Sequence, residues 1–172
     1  MASSDSEDYD FEVADAGAEG CNPISVGSIK RGGHVLIRGF PCKVMEYSTA
    51  KTGKHGAAKA MYMGIDIFTG RKYEDSKPTD ATAQEPIVTR TDYDLVDVDE
   101  DDVNAEGAVC SLLDGEAGKM MKDVRIPMDD ADYKPMRDAM AAVLASETEK
   151  TVVVTVLAAL GTRKLLPAFR MK

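Results

Sequence analysis

The segment Ser48-Thr49-Ala50-Lys51-Thr52-Gly53-Lys54-His55-Gly56-Ala57-Ala58-Lys59 holds the side chains best placed to do chemistry. Lys51, Lys54, His55 and Lys59 stand close together, with no acid among them. Gly53 and Gly56 bracket the pair Lys54-His55. Glycine permits positive φ and leaves the backbone uncrowded, so the pair can be pushed outward with little around it. A macromolecule could then approach Lys54 closely, whether RNA or a modifying enzyme. The plain alternative is a solvated basic loop with no special role, because basic loops are common.

Other chemistries fail on spacing. A phosphate-binding P-loop needs Ser or Thr after Gly-Lys and a glycine five residues before that Gly-Lys pair. Here His55 follows Lys54, and position 48 is Ser48. The run Asp97-Val98-Asp99-Glu100-Asp101 imitates the start of a calcium loop. Its sixth position is Asp102 where glycine is needed, and its twelfth is Ala108 where a bidentate carboxylate is needed. His55 near Ser48 suggests a nucleophile and base, but the loop is too open to exclude water or hold geometry. A Schiff-base role for Lys54 would require desolvation, which a Gly-flanked tip opposes. Cys42 falls in a strand pattern and is expected to be packed rather than reactive. With two histidines and three scattered cysteines, no metal site is expected.

The elements that must display this loop are β-strands. Gly32-Gly33 is a turn before His34–Arg38, and Gly39-Phe40-Pro41 is a break. Strands are expected over Cys42–Tyr47 and Lys59–Phe68, with a loop over Ser48–Ala58 between them. Met61, Met63, Ile65 and Ile67 recur at period two and mark one strand face. Arg71–Asp75 follows a turn at Thr69-Gly70, Pro78–Gln84 is a polar loop, and Ile87-Val88 begins another strand. A second unit then starts with a strand at Asp92–Asp97, with the acidic Asp99–Asp102 as its turn. Gly107–Leu113 and Lys119–Ile126 are the next strands. The period changes over Asp129–Ser146, where Met136, Met140, Val143 and Leu144 form a stripe, predicting a helix over Asp132–Ala145 with Pro135 near its start. Thr151–Leu160 is dense in β-branched residues, and a last strand runs through Phe169, with Pro167 arguing for an edge. The fold class is all-β with one short helix. The first unit suggests a small antiparallel barrel, and five strands with a helix before the fourth fit an OB-type barrel.

Charge divides the chain in the same way. Residues 1–21 hold seven acids and no Lys or Arg, a net of −7. That composition cannot offset chain entropy, so a disordered acidic tail is expected there. Residues 22–90 hold 11 basic and 6 acidic residues, a net of +5; residues 91–172 hold 10 and 17, a net of −7. A polyanion should therefore meet the chain through residues 22–90. Without tryptophan and with few aromatics, the cores should be aliphatic. No apolar run approaches the roughly 18–20 residues of a membrane helix, and the N-terminus lacks a targeting pattern. Scattered Cys21, Cys42 and Cys110 read as free thiols in a reducing, cytoplasmic compartment.

The loop also resembles that of a known family, the hypusine-containing initiation factor 5A. The family reads Ser-Thr-Ser-Lys-Thr-Gly-Lys-His-Gly-His-Ala-Lys, and ten of the twelve positions of Ser48–Lys59 agree. The likeness extends through Pro41-Cys42-Lys43, Gly64–Gly70 and Arg71–Asp75, and more weakly through Ser111–Leu113 and Arg125–Pro127. It implies an SH3-like barrel over 22–90 followed by an OB-type barrel over 91–172. It implies a factor that is not an enzyme and has no cofactor of its own. Lys54 would become hypusine, built from spermidine by deoxyhypusine synthase and deoxyhypusine hydroxylase. The partners it implies are ribosomal RNA and peptidyl-tRNA, contacted by Lys51, Thr52, Gly53, Lys54, His55, Gly56 and Lys59, and no membrane. Peptide bond formation at stalled sites such as proline runs is the implied outcome. Ala50 and Ala57 depart from the family's serine and histidine, which bears on loop recognition but spares the acceptor lysine. The alternative is a generic RNA-binding module acting without lysine modification.

Overall fold

The computed structural model describes residues 20–51 and 58–172. The expectations for residues 1–19, and those for Thr52, Gly53, Lys54, His55, Gly56 and Ala57, lie outside the described residues. The chain divides into two compact units. One comprises the residues up to Val88 with the short turn 159–161; the other comprises 89–158 and 162–172.

In the first unit β1 (Cys21–Ser25) pairs antiparallel with β6 (Thr82–Pro86). The strands β2 (His34–Ile37), β3 (Phe40–Lys51), β4 (Ala58–Asp66) and β5 (Lys72–Pro78) form an antiparallel sheet in that order. Ile37 pairs with Phe40, so the β2–β3 turn has two residues, Arg38 at φ 54° and Gly39 at φ 86°. Positive φ at both positions is what a primed hairpin turn requires, because its twist matches that of the strands. Arg38 thus leaves the expected strand, and Phe40-Pro41 opens β3 rather than breaking the chain. Backbone bonds from Val26 N to Ala81 O (2.9 Å) and from Gly27 N to Thr79 O (2.8 Å) tie the β1–β6 ribbon to the sheet. Tyr47 adds a bond from its hydroxyl to Val26 O at 3.0 Å. Val26, Ile29, Val35, Ile37, Val44 and Tyr62 fill the core.

One further expectation changes here. Cys21 is not in a tail: it pairs with Pro86 in β1 and is buried, and Gly20 O accepts from Ile87 N at 2.8 Å. An apolar thiol next to Asn22-Pro23-Ile24 belongs with the barrel, and only the acidic average of its neighbours hid it. The face marked by the period-two run Met61, Met63, Ile65 is the outer one. The buried positions of β4 are Ala60, Tyr62, Gly64 and Asp66, while Met61 is 48% exposed. Small residues suit the core face because the strands approach closely. A Cβ on Gly64 would lie 2.7 Å from Cys42 Cβ and 3.0 Å from Lys43 O.

In the second unit β7 (Thr89–Asn104), β8 (Gly107–Asp114), β9 (Lys119–Ile126), β10 (Val152–Ala159) and β11 (Thr162–Met171) form one antiparallel sheet, ordered β11-β10-β7-β8-β9. Helix α1 (Lys134–Leu144) lies between the third and fourth of these strands in sequence, the arrangement of an OB-type barrel. Pro135 sits in the first turn, where its missing N–H costs nothing. Met136 and Met140, one turn apart, are fully buried against Leu95, Leu112, Val154 and Leu165. The helical stripe ends at Val143, since Leu144 is 52% exposed. Tyr133 enters the core by donating its hydroxyl to Leu165 O at 2.6 Å, so the cores are not wholly aliphatic. Asp99–Asp102 is not a turn: it lies within β7, across a register shift between Asp99 and Val103. Arg125 holds this irregularity by donating to Asp102 O (2.9 Å), Gly107 O (3.0 Å) and Asp102 Oδ1 (3.0 Å). Pro167 falls in β11, a terminal strand of the sheet order.

Candidate functional site

The basic segment is carried by the β3–β4 hairpin, whose strands have 12 and 9 residues. Pairing continues to its last described rungs, Ala50 with Lys59 and Lys51 with Ala58. Strand character therefore reaches further than the expected loop Ser48–Ala58, and residues 52–57 join the two arms. Directly opposed residues share a face in an antiparallel pair. Lys59 thus projects with Ala50 from one face and Lys51 with Ala58 from the other. The second arm is fastened on its other side, where Lys59 pairs with Pro78 and Thr79 N donates to Ala58 O at 2.8 Å. The first arm is not: β2 pairs with β3 only from Phe40 to Lys43, so Ser48–Lys51 has β4 as its single described strand neighbour. Ser48, Thr49, Ala50 and Lys51 are all exposed.

A bulge aims this arm. Val44 pairs with Gly64 and Glu46 with Met63, which leaves Met45 unpaired and 44% exposed. A bulge adds twist and bends the strand that carries it. Sequence reasoning missed this feature, and no composition signal announces it.

The electrostatics of the arms are simple. Among the described residues neither Lys51 nor Lys59 is in an ion pair. Lys72 and Lys77, on β5, meet Glu74 at 3.6 Å and Asp75 at 4.0 Å. The cations of the second unit are engaged more fully: Arg163 meets Asp123 at 2.7 Å, Lys172 meets Asp94 at 3.0 Å and Arg170 meets Asp92 at 3.7 Å. Lys51 and Lys59 are thus exposed hairpin cations outside every ion pair among the described residues.

The titratable groups beneath the hairpin are held out of acid–base work. Burial, with the Asp66 carboxylate beside it, pushes the Cys42 thiol up to about 11. Burial pushes the Tyr62 hydroxyl up to about 12, with Asp75 and Tyr47 adding to the effect. Asp66 is itself buried and accepts from Phe68 N (2.8 Å) and Thr69 N (3.3 Å), which shapes the β4–β5 turn. The arrangement can position cations near a polyanion; these groups stay protonated or structurally committed near neutral pH.

An antiparallel barrel bearing a long basic hairpin is thus followed in the chain by an OB-type barrel. Residues 20–81 match the family model "Translation initiation factor 5A-like, N-terminal", and residues 87–168 match "Eukaryotic elongation factor 5A hypusine, DNA-binding OB fold". Eukaryotic translation initiation factor 5A-3 of Arabidopsis thaliana is 40% identical over 159 residues, covering 92% of each chain. Eukaryotic translation initiation factor 5A-4 of Solanum tuberosum is 42% identical over 160 residues, with the same coverage. The solved structure of a translation initiation factor eif-5a family protein from Naegleria fowleri superposes with TM-score 0.67 at 36% identity, covering 88% of this chain and 98% of that one. Eukaryotic translation initiation factor 5A from Methanococcus jannaschii gives TM-score 0.60 at 27% identity, with 89% and 96% covered. The chain belongs to the initiation factor 5A family of translation factors.

Proposed function

We propose that this chain, with Lys54 converted to hypusine by deoxyhypusine synthase and deoxyhypusine hydroxylase, binds the cytoplasmic ribosome beside peptidyl-tRNA. There it promotes peptide bond formation at stalled sites such as proline runs. The observation that carries this reading is the hairpin itself. Its paired arms end on Lys51 and Ala58, with Lys59 one rung in, and bracket Gly53-Lys54-His55-Gly56, the family's modified sequence. Hypusine is a longer side chain with two amines, so Lys54 gains reach and positive charge. That suits a narrow, phosphate-lined cleft, in which phosphate contacts position the bound molecule. Acceleration would come from orienting the tRNA rather than from acid–base groups. Lys51, Thr52, Gly53, His55, Gly56 and Lys59 would line the RNA contact around it. The protonated Cys42 and Tyr62 and the committed Asp66 under the hairpin support a positioning role.

The test is Lys54→Arg. Arginine keeps the charge but cannot accept the aminobutyl group, and its planar guanidinium cannot extend as a thin diamine. With Lys54 displayed as its glycine flanks imply, the change should alter stability by no more than about 0.5 kcal/mol. In cells depleted of the native factor, the variant should translate a proline-free reporter and fail on a proline-run reporter. Intact mass of the wild-type protein from the same cells should show a hypusine-sized addition on Lys54. A folded Lys54→Arg protein that rescued the proline-run reporter fully would leave an unmodified RNA-binding loop instead.

A further inference from the structure

The first unit carries rings and charge at the end of its sheet away from the hairpin. β3 runs from Phe40 to Lys51, and its 12 residues separate the two by at most about 40 Å at roughly 3.3 Å per residue. The turn Arg38-Gly39 and the turn 67–70 lie together at the Phe40 end, because Ile67 N donates to Pro41 O at 3.0 Å. There Phe40 of β3 stacks on Tyr73 of β5, with ring centroids 4.6 Å apart and planes inclined by 10°. Tyr73 packs against the barrel core and so holds the stack in place. Phe40 has one ring face on Tyr73 and is still 43% exposed, so its other face meets solvent. The surrounding sequence is basic. Residues 30–45 hold four Lys or Arg and no acid, and residues 67–73 hold two and no acid. Arg38 and Arg71 each lie two residues, at most about 7 Å of backbone, from a ring of the stack. Both are exposed and in no ion pair among the described residues. The adjacent acid, Asp66, is buried and committed to Phe68 N and Thr69 N.

We propose that this turn end is a second contact for single-stranded RNA, in which a nucleobase stacks on the free face of Phe40 while Arg38 and Arg71 draw the strand towards it. A single exposed apolar residue is ordinary and needs no explanation. A ring already stacked on one face, with unpaired guanidiniums beside it and no exposed acid in either turn segment, is the pairing of aromatic platform and positive charge that single strands require. Charge also excludes other occupants. A purely apolar partner would leave both guanidiniums without a counter-charge, and a basic one would be repelled. Tyr73 fixes the orientation of the Phe40 ring before any base arrives, so little side-chain freedom is lost on binding. Every base has a π face, so the grip is indifferent to sequence. The contact rests on the RNA reading proposed above and adds to it: the hairpin meets phosphate at one end of β3, and Phe40 holds a base at the other.

Stacking is separated from charge by titrating the full chain with a single-stranded oligouridylate and with a ribose–phosphate oligomer of equal length that lacks bases. Phe40→Leu keeps apolar bulk and removes the ring. It should weaken oligouridylate binding about fivefold or more and leave the base-free oligomer unaffected. Phe40→Tyr keeps the ring and should bind both as the unaltered chain does. In the unaltered chain the ring protons of Phe40 should shift with oligouridylate, show cross-relaxation with the uracil protons, and stay in place with the base-free oligomer. That measurement decides the matter even if Phe40→Leu misfolds. Undiminished oligouridylate binding by folded Phe40→Leu overturns the proposal, as does a loss of equal size on both oligomers. Lys51→Gln with Lys59→Gln reports on the hairpin separately. If that pair weakens binding and Phe40→Leu does not, the stack fails and the hairpin reading stands. If Phe40→Leu weakens oligouridylate alone and the hairpin pair changes nothing, the stack stands and the hairpin fails as an RNA contact. No binding of oligouridylate by the unaltered chain overturns both.

Discussion

Cys42 and Cys110 show how burial decides side-chain chemistry. Both are fully buried, and burial pushes their thiols up to about 11 and about 12; the Asp66 carboxylate adds to the first. Cys21 is buried as well and is raised by burial. Its raised pKa keeps the Cys42 thiol protonated at pH 8, and the thiolate is the reactive form. Iodoacetamide at pH 8 should therefore leave all three unmodified in the folded chain and label them after denaturation, as read by peptide mass. The same groups set an alkaline limit. Their folded values lie above the unfolded value of 9.0, so the stability they contribute is fully present below pH 9 and is lost as pH rises towards 11–12. Urea midpoints should fall across that window, and Cys110→Ala should flatten the fall. Rapid alkylation of the native chain at pH 8 would contradict the burial. At this scale the sequence was most informative where residue types were most constrained. Gly53-Lys54-His55-Gly56, read as a displayed lysine, lies outside the described residues, whereas Cys42 was legible as a packed thiol. Cys21 was not, because one apolar residue beside seven acids does not move a composition average.

Elements were legible in type and less so in facing. Period two in Met61, Met63 and Ile65 correctly marks a strand, but alternation alone cannot say which face is inside. The core face of β4 is lined by Ala60, Tyr62 and Gly64, and its small residues reflect how closely β3 and β2 approach. Gly64→Ala puts a Cβ 2.7 Å from Cys42 Cβ and 3.1 Å from Ile37 Cδ1. Overpacking of this kind should cost about 1–3 kcal/mol. Gly107 is under a stricter demand: its φ is +123°, and a Cβ there would collide with the backbone carbonyl of Ile126. Gly107→Ala should cost more than Gly64→Ala, because backbone atoms cannot yield as side chains can. Urea unfolding of the two variants orders them; the reverse order would show that β8 and β9 separate readily. Bulges escaped the sequence for a related reason. The unpaired Met45 and the shift between Asp99 and Val103 depend on which residues face each other across strands, and that information is not local.

At the scale of the whole molecule, the two units divide the charge differently from what a net of −9 suggests. Residues 91–172 hold ten cations, yet Arg163, Arg170 and Lys172 are committed to ion pairs. Arg163 meets Asp123 at 2.7 Å across β11 and β9 and lies 5.6 Å from the centroid of the Tyr93 ring. Arg170 and Lys172 meet Asp92 and Asp94. These pairs serve the barrel, and seven further acids leave its field negative. Phosphate contacts should therefore come mainly from the hairpin, with the OB-type unit contributing shape. Each lysine that neutralises a phosphate of single-stranded nucleic acid adds roughly 0.7 to the steepness of log affinity against log salt. Lys51→Gln with Lys59→Gln should flatten the slope on oligouridylate by about 1.4. Arg170→Gln with Lys172→Gln removes the same formal charge from an exposed, paired position and should flatten it by well under half as much. Arg163 is unsuited to this comparison, because its removal would also open the packing of β11 on β9. Should Arg170→Gln with Lys172→Gln flatten the slope as strongly as the hairpin pair, the second unit would be a phosphate-binding surface in its own right. The positive hairpin would then be one contact among several rather than the one that orients the factor on RNA.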